Sequence, residues 1–248
     1  MQRSDRSVRP GDHQTKGHLT EHEGGWYTWA MLAQERHVNA SEIAPAYSTR
    51  VEEARRGLGE DMIEVIPLPD RSIFVVADGA GGVSGGAAAA EAVCKAVADW
   101  CRQGKAAAWP EWLAHIDREM ASSKSCGLAA AVIIEIKNDG RIAGASVGDC
   151  EAWLFANGAA PRSLTAGQVR KPLLGEGAAV PVGFEGSVAG GTLLAATDGL
   201  WKYLDRARIA KATEIRPLEA AAEALVNGAR LRSGALQDDV AVAIVGWQ

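Results

Sequence analysis

Acidic residues stand where the apolar runs of this chain begin or end. Five pairs share that placement: Glu60-Asp61, Asp78-Gly79, Gly148-Asp149, Asp198-Gly199 and Asp238-Asp239. If the strand ends meet at one edge of a packed pair of sheets, the carboxylates would repel one another and raise each other's pKa unless divalent cations neutralised them. Any single Asp-Gly pair is more often a turn than a ligand, but five pairs in series predict a metal site.

The donor types narrow the choice of metal. A site built from carboxylate oxygens suits hard ions of octahedral geometry, magnesium or manganese, and argues against zinc or copper. Glycine beside an aspartate lets the backbone approach a bound ion closely. The carbonyl oxygen of Gly79 is therefore a further candidate ligand.

Two other interpretations of the glycine-rich stretch after Asp78 are weaker. A dinucleotide-binding GxGxxG loop fits the glycine spacing only loosely, and the Asp78 carboxylate would repel a pyrophosphate. Ser84 lies in a GxSxG pattern, but a nucleophilic serine of that type follows its strand directly and needs a later histidine. The only histidine after it in the sequence is His115, which a helical pattern places on a helix surface.

Apolar runs and turn residues predict the elements that would carry these acids. Strands are predicted at 26–32, 62–68, 72–77, 128–136, 142–147, 151–156, 192–197 and 240–247, and helices at about 86–103, 110–121 and 217–230. Hairpin-like joins are predicted at Asn138-Asp139-Gly140 and at Gly148-Asp149. Because the strands run in meanders with helices inserted between them, this order predicts an α+β fold of packed sheets covered by helices.

The composition argues against several classes of protein. The 26 basic and 31 acidic side chains give a net charge of −5, so binding to nucleic acid or to an anionic membrane is not expected. No apolar run reaches the ~20 residues needed to cross a bilayer. Four cysteines without CxxC spacing indicate reduced thiols in the cytoplasm. Residues 1–24 are polar and are predicted to form a flexible tail, and residues 25–248 to form a single domain.

Six motifs follow one another in a recognisable order. They are RxxGED (56–61), FVVADGAGG (74–82), ASVGDCEAWLF (145–155), LT (164–165), LLAATDGLW (193–201) and QDDVAVAIV (237–245). Together they resemble the metal-dependent (PPM, type 2C-like) serine/threonine protein phosphatases of bacteria, over about residues 45–248. The resemblance implies a four-layer α-β-β-α sandwich, two antiparallel sheets flanked by helices. It also implies two manganese or magnesium ions at one end of the sandwich and a third, weaker ion site.

The same resemblance implies a set of metal ligands. They are Glu60, Asp61, Asp78, Gly79, Asp149, Asp198 and Asp238. Asp78 would bridge the two ions, joined by the Gly79 carbonyl. Asp198 and Asp238 would hold one of the two ions.

The remaining matching residues have implied roles around this centre. Glu60 and Asp61 would hold or orient waters on the other ion, and Asp149 matches the third, weaker site. Arg56 would contact the substrate phosphate, since its planar fork suits phosphate oxygens, and Arg55 is a rival for that role.

The implied reaction is hydrolysis of phosphoserine or phosphothreonine in proteins, by a water that the two metal ions activate. The implied partners are a cognate serine/threonine kinase or its targets. Gly59 and Ala80 depart from the family pattern, and the flap-like segment between Thr165 and Gly191 has lost most of its family signature. The main alternative is a catalytically silent relative that binds partners. Such proteins usually lose the metal-ligating acids, which are present here. A serine hydrolase using Ser84 is a weaker alternative.

Overall fold

The structure is a computed structural model of the chain. It describes residues 45–80, 85–104, 108–123, 127–156, 159–188 and 190–246. The predicted tail at 1–24 and the predicted strand at 26–32 lie outside the described residues and stay predictions, as does the extent of the domain.

The described strands form two five-stranded sheets in which all neighbouring strands are antiparallel. The first sheet has the order β1 (Ala46–Glu52), β10 (Val240–Gly246), β9 (Gly191–Ala196), β6 (Glu151–Ala156) and β7 (Arg162–Ser163). The second has the order β2 (Asp61–Pro67), β3 (Arg71–Ala80), β4 (Leu128–Lys137), β5 (Arg141–Val147) and β8 (Val182–Ser187). The predicted strands from 62 onward are therefore confirmed, with β3 continuing past its predicted end to include Asp78 and Gly79.

Five helices flank the sheets within the described residues. They are α1 (Gly86–Arg102), α2 (Trp109–Ser122), α3 (Asp198–Trp201), α4 (Arg206–Thr213) and α5 (Leu218–Ala229). The predicted α1, α2 and α5 are confirmed. None of the described helices is long and apolar enough to cross a membrane.

Side chains point alternately to the two faces of each sheet, and this divides the core into three layers. In β3, Val75 and Ala77 face α1 and α2, whereas Phe74 and Val76 face the other sheet. Successive side chains of a strand point to opposite faces, so a strand that is apolar throughout is covered on both sides. On the first sheet, β10 likewise divides its side chains between the inter-sheet core and a third cluster under α3, α4 and α5. The predicted α+β fold of two packed antiparallel sheets flanked by helices is confirmed.

The two predicted hairpin-like joins have different outcomes. Asn138-Asp139-Gly140 closes the β4–β5 hairpin, where the Gly140 amide donates to the Lys137 carbonyl at 2.8 Å. The join at Gly148-Asp149 is not a hairpin, because β5 pairs with β4 and β8 while β6 pairs with β9 and β7. The chain crosses there from one sheet to the other, and this crossing carries Asp149.

A buried carboxylate fastens α2 to the segment that follows β7. Asp117 is 2% exposed. Its Oδ1 accepts hydrogen bonds from the Gly175 amide at 2.8 Å and the Gly177 amide at 2.9 Å, and its Oδ2 accepts from the Ala179 amide at 2.9 Å. One side chain thus satisfies three backbone donors of a segment that has no regular structure of its own.

Replacing Asp117 by alanine is expected to lower the free energy of unfolding by about 3 kcal/mol, because three backbone N–H groups lose their acceptor. Asp117→Asn is expected to cost less, since an amide oxygen can still accept from Gly175 and Gly177 while its nitrogen faces the Ala179 donor. Urea unfolding measures both values. Exposed Asp99→Ala on α1 is the control, and equal stability of all three variants would contradict the expectation.

Candidate metal centre

Three carboxylates from distant parts of the chain meet where the two sheets end. Asp78 lies near the end of β3, Asp149 in the crossing from β5 to β6, and Asp198 at the first residue of α3 after β9. One oxygen from each of these side chains lies within 4.8 Å of the other two. We call these three residues the acid cluster. Since β3 and β9 belong to different sheets, the acid cluster joins both sheets.

Asp61 lies beside this cluster at the start of β2, opposite Asp78 in the β2–β3 register. The Thr197 hydroxyl donates to Asp61 Oδ2 at 2.6 Å and itself accepts from the Ala241 amide at 2.9 Å. Thr197 is fully buried. This chain of hydrogen bonds holds Asp61 of one sheet against β9 and β10 of the other.

Burial and mutual repulsion act on the pKa of these carboxyls. Burial and then the Asp78 charge raise the pKa of Asp61 to about 9. Burial and then the Asp198 charge raise the pKa of Asp78 to about 7. The pKa values of Asp149 and Asp238 are raised for the same two reasons, burial first and Asp198 second. The negative charge gathered here is only partly compensated by the protein itself.

Glu60 and Gly79 adjoin these acids, and Arg56 lies in the turn before β2. The Gly79 amide donates to the Glu60 carbonyl at 3.1 Å. The Glu60 carboxylate lies against Gly86 at the N-terminus of α1, where a Cβ would also lie 2.7 Å from the Gly79 carbonyl oxygen, so that backbone would have to move for a larger residue. Arg56 is exposed in the turn before β2 and forms no salt bridge with another described residue. Its implied contact with substrate phosphate stays a prediction.

The adjacent acids Asp238 and Asp239 have different surroundings. Asp238 is partly exposed, and its charge, after burial and the charges of Asp198 and Asp149, also raises the pKa of Asp78. Asp239 Oδ1 accepts from the Ala54 amide and Oδ2 from the Glu60 amide, both at 2.7 Å. Asp239 therefore fastens the turn before β2 to the start of β10. The family resemblance implied a metal-binding role for Asp238 alone of this pair. The alternation of neighbouring side chains near a strand could have indicated that the two acids point to different places.

Two basic side chains, also not expected from the sequence, reach these acids. Lys202 forms ion pairs with Asp198 and, at 3.7 Å, with Asp238. Arg170, in the segment after β7, pairs with Asp149 at 3.6 Å. The four-residue spacing from Asp198 to Lys202 on helical backbone was the available sequence signal for the first pair.

The donor set fits hard divalent cations. Every group in the acid cluster is a carboxylate, and such oxygens suit magnesium or manganese. The neighbouring Cys150 thiol is buried, and burial raises its pKa well above the ordinary value. Asp61, Asp78, Asp149, Asp198 and Asp238 could hold such ions.

The serine-hydrolase alternative receives no support from His115. This residue lies on α2 with its side chain 41% exposed, beside Trp112 and within 3.3 Å of Glu119. A helix-surface histidine was expected. Ser84 lies outside the described residues.

Comparison with protein families identifies the family to which the chain belongs. The family model described as Stage II sporulation protein E (SpoIIE) matches residues 69–248, more than two thirds of the sequence. The chain belongs to the SpoIIE family. The match confirms the resemblance of its motifs to bacterial serine/threonine phosphatases of the PPM type. A comparison with curated proteins gives no significant match.

Solved structures of bacterial phosphatases share the SpoIIE-family fold seen here. Stp1 from Staphylococcus aureus is 15% identical, with a TM-score of 0.72 over 87% of this chain and 99% of that one. The serine/threonine phosphatase of S. agalactiae is 20% identical, with a TM-score of 0.70 over 82% and 100%. The catalytic domain of the serine/threonine phosphatase PstP, in complex with two manganese ions, is 17% identical, with a TM-score of 0.63 over 82% and 97%. At these identities the likeness establishes the fold.

Raising the pH is expected to destabilise this SpoIIE-family chain when it is free of metal. The pKa values of Asp61 and Asp78 are raised in the folded state, whereas unfolded carboxyls ionise near pH 4. The folded state therefore binds more protons between those values, so its stability is full at low pH and falls as the pH rises. Urea unfolding in chelator should show a loss of roughly 2 kcal/mol or more between pH 5 and 7. Saturating manganese should reduce that loss, and a gain of stability over this range would contradict the expectation.

Proposed function

We propose that the chain is a manganese- or magnesium-dependent phosphatase that hydrolyses phosphoserine and phosphothreonine in proteins. The observation that carries the proposal is the meeting of Asp78, Asp149 and Asp198 within 4.8 Å, in a member of a phosphatase family. The raised pKa values of the acids support it, because cations would relieve the repulsion that raises them.

The proposed ligand roles are those that the resemblance to the PPM phosphatases implies. Asp78, in the acid cluster, would hold the two ions together with the Gly79 carbonyl. Asp198 and Asp238 hold one ion from the side of the first sheet. Two such ions supply positive charge that activates a water and neutralises the phosphoryl group.

Residues of the second sheet and the crossing complete the proposed site. Glu60 and Asp61 orient water around the other ion, and Thr197 fixes the Asp61 carboxylate through its hydroxyl. Asp149 is the ligand available to a third, weaker ion. Arg56 is free to turn its guanidinium toward a phosphate because no described acid pairs with it.

The substrates that we propose are phosphorylated proteins, with a cognate serine/threonine kinase or its targets as partners. Nucleic acid and membranes are not proposed as partners, given the net charge of −5. The buried free thiols of Cys94, Cys101 and Cys150 support a reducing compartment, the cytoplasm.

Hydrolysis assays with an aryl phosphate and a phosphothreonine peptide test the proposal. Turnover is expected with manganese or magnesium and is expected to stop in chelator. Ser84→Ala is expected to retain activity, and its complete loss with the fold intact would favour a serine hydrolase. Equal turnover with metal and with chelator would exclude the metal mechanism.

A catalytically silent interaction protein is the second candidate. The ion pairs of Lys202 with Asp198 and of Arg170 with Asp149 favour it, because basic side chains already compensate part of the acidic charge. Absence of turnover together with absence of manganese binding in calorimetry would support this candidate over the enzyme.

A further inference from the structure

Lys202 is placed so that one ammonium group contacts acids from two different elements. It follows directly after α3, four residues beyond Asp198, and a helical backbone brings residues at that spacing to one side. Its Nζ pairs with Asp198 in α3 and lies 3.7 Å from Asp238, which precedes β10. These are the two acids proposed above to hold one ion between them.

An ammonium and a divalent ion compete for the oxygens of Asp198 and Asp238. Lysine offers three N–H donors and no acceptor, so an Asp198 oxygen that accepts from Nζ is not available to coordinate a metal in the same direction. Positive charge beside a dication also repels it. Entry of a metal between Asp198 and Asp238 therefore requires the Lys202 head group to move away.

The side chain has room to make that movement. The Lys202 side chain is 42% exposed to solvent, and it carries four flexible methylene groups. Asp198, in contrast, is 11% exposed and stays within the acid cluster. The Lys202 ammonium is therefore the charge that can move, and the Asp198 carboxylate is the charge that stays in place.

We propose that Lys202 is a displaceable internal cation that competes with divalent metal for Asp198 and Asp238 and so sets the metal concentration at which the site is loaded. The inference rests on the proposed metal-dependent function of this site. Lys202 acts through the metal ligands and is a positioning residue. When metal is scarce, it keeps the empty acid pair compensated.

Manganese titration of the full chain by calorimetry tests this competition. Lys202→Gln removes the charge at similar side-chain length, and it is expected to bind manganese about tenfold more tightly, because two partly exposed ion pairs no longer have to be broken. Lys202→Arg keeps the charge and is expected to bind like the wild type. Lys211→Gln, an exposed position on α4, is the matched control and should leave the affinity unchanged. Thermal unfolding in chelator verifies that each variant is folded, with Lys202→Gln expected to melt below the wild type.

The outcomes separate this inference from the proposed function. If the wild type and Lys202→Gln bind manganese equally, or the variant binds it more weakly, the competition is excluded while metal binding still supports the enzyme. If only Lys202→Gln binds manganese, the competition is supported and the proposed function of the wild type is contradicted. If neither binds, both are overturned.

Discussion

Asp78→Asn is expected to reduce manganese-dependent hydrolysis of a phosphothreonine peptide on the order of 10³-fold. Asp78 lies with Asp149 and Asp198 in the acid cluster, so its loss removes one of the proposed metal ligands. The same variant is expected to be more stable than the wild type in chelator by about 1–2 kcal/mol at pH 8, because a buried charge under repulsion is removed. Steady-state kinetics and urea unfolding measure the two effects.

Asp70→Asn is the matched control for this variant. Asp70 lies next to the opposite end of β3, is 63% exposed and pairs with Arg71 at the surface. Its substitution should change neither activity nor stability in chelator. If Asp78→Asn kept wild-type activity with manganese, or if both aspartate variants lost activity equally, Asp78 would not be a metal ligand.

Gly199→Ala is expected to lower the free energy of unfolding by about 3 kcal/mol. A Cβ at this position in α3 would lie 1.8 Å from the Asp239 backbone carbonyl, so backbone would have to move. The expected sign is informative, because alanine at a helical position is normally favoured over glycine. The movement would also displace Asp238 and the amides that Asp239 holds, and manganese affinity should fall with stability. Urea unfolding and calorimetry measure the two losses.

Gly167→Ala provides the comparison for this substitution. Its Cβ would meet only Val182 at 3.5 Å, an ordinary van der Waals contact. A change within about 0.5 kcal/mol is expected. Similar losses at both glycines would show that the close approach of α3 to β10 does not limit stability.

The parts of the fold that sequence predicts well are those with long apolar runs. Strands β3, β4 and β10 are buried on both faces, so each carries at least five consecutive apolar residues and has no competing interpretation. Strand β1, AYSTRVE, was not predicted because it is a partly exposed edge strand in which polar and apolar residues are mixed without an apolar run. Helix α4 was missed because it is short and largely exposed, and its N-cap, where Asp205 accepts from the Arg208 amide, was its main signal.

The candidate site was predictable where its residues lie beside such strands. Acidic pairs at strand ends indicated a charged edge before any distance was known. Lys202, Asp239 and Asp117 were not predicted, because each acts through a contact with a residue distant in sequence or through backbone amides. Such contacts depend on how the sheets and helices pack, which local patterns do not report.

The acid cluster also has a mechanical consequence. Asp61 and Asp78 belong to one sheet and Asp198 to the other, so a cation held among them would crosslink the two halves of the sandwich. At the opposite end of the second sheet, the β4–β5 turn is tied to the neighbouring β2–β3 turn of the same sheet without any ion, because the Asn138 backbone amide donates to the Asp70 carbonyl at 3.0 Å. Amide hydrogen exchange at the acidic end should therefore slow as manganese is added, while exchange at the far turns stays constant. The concentration of free divalent cation would then determine how firmly the two sheets are held together.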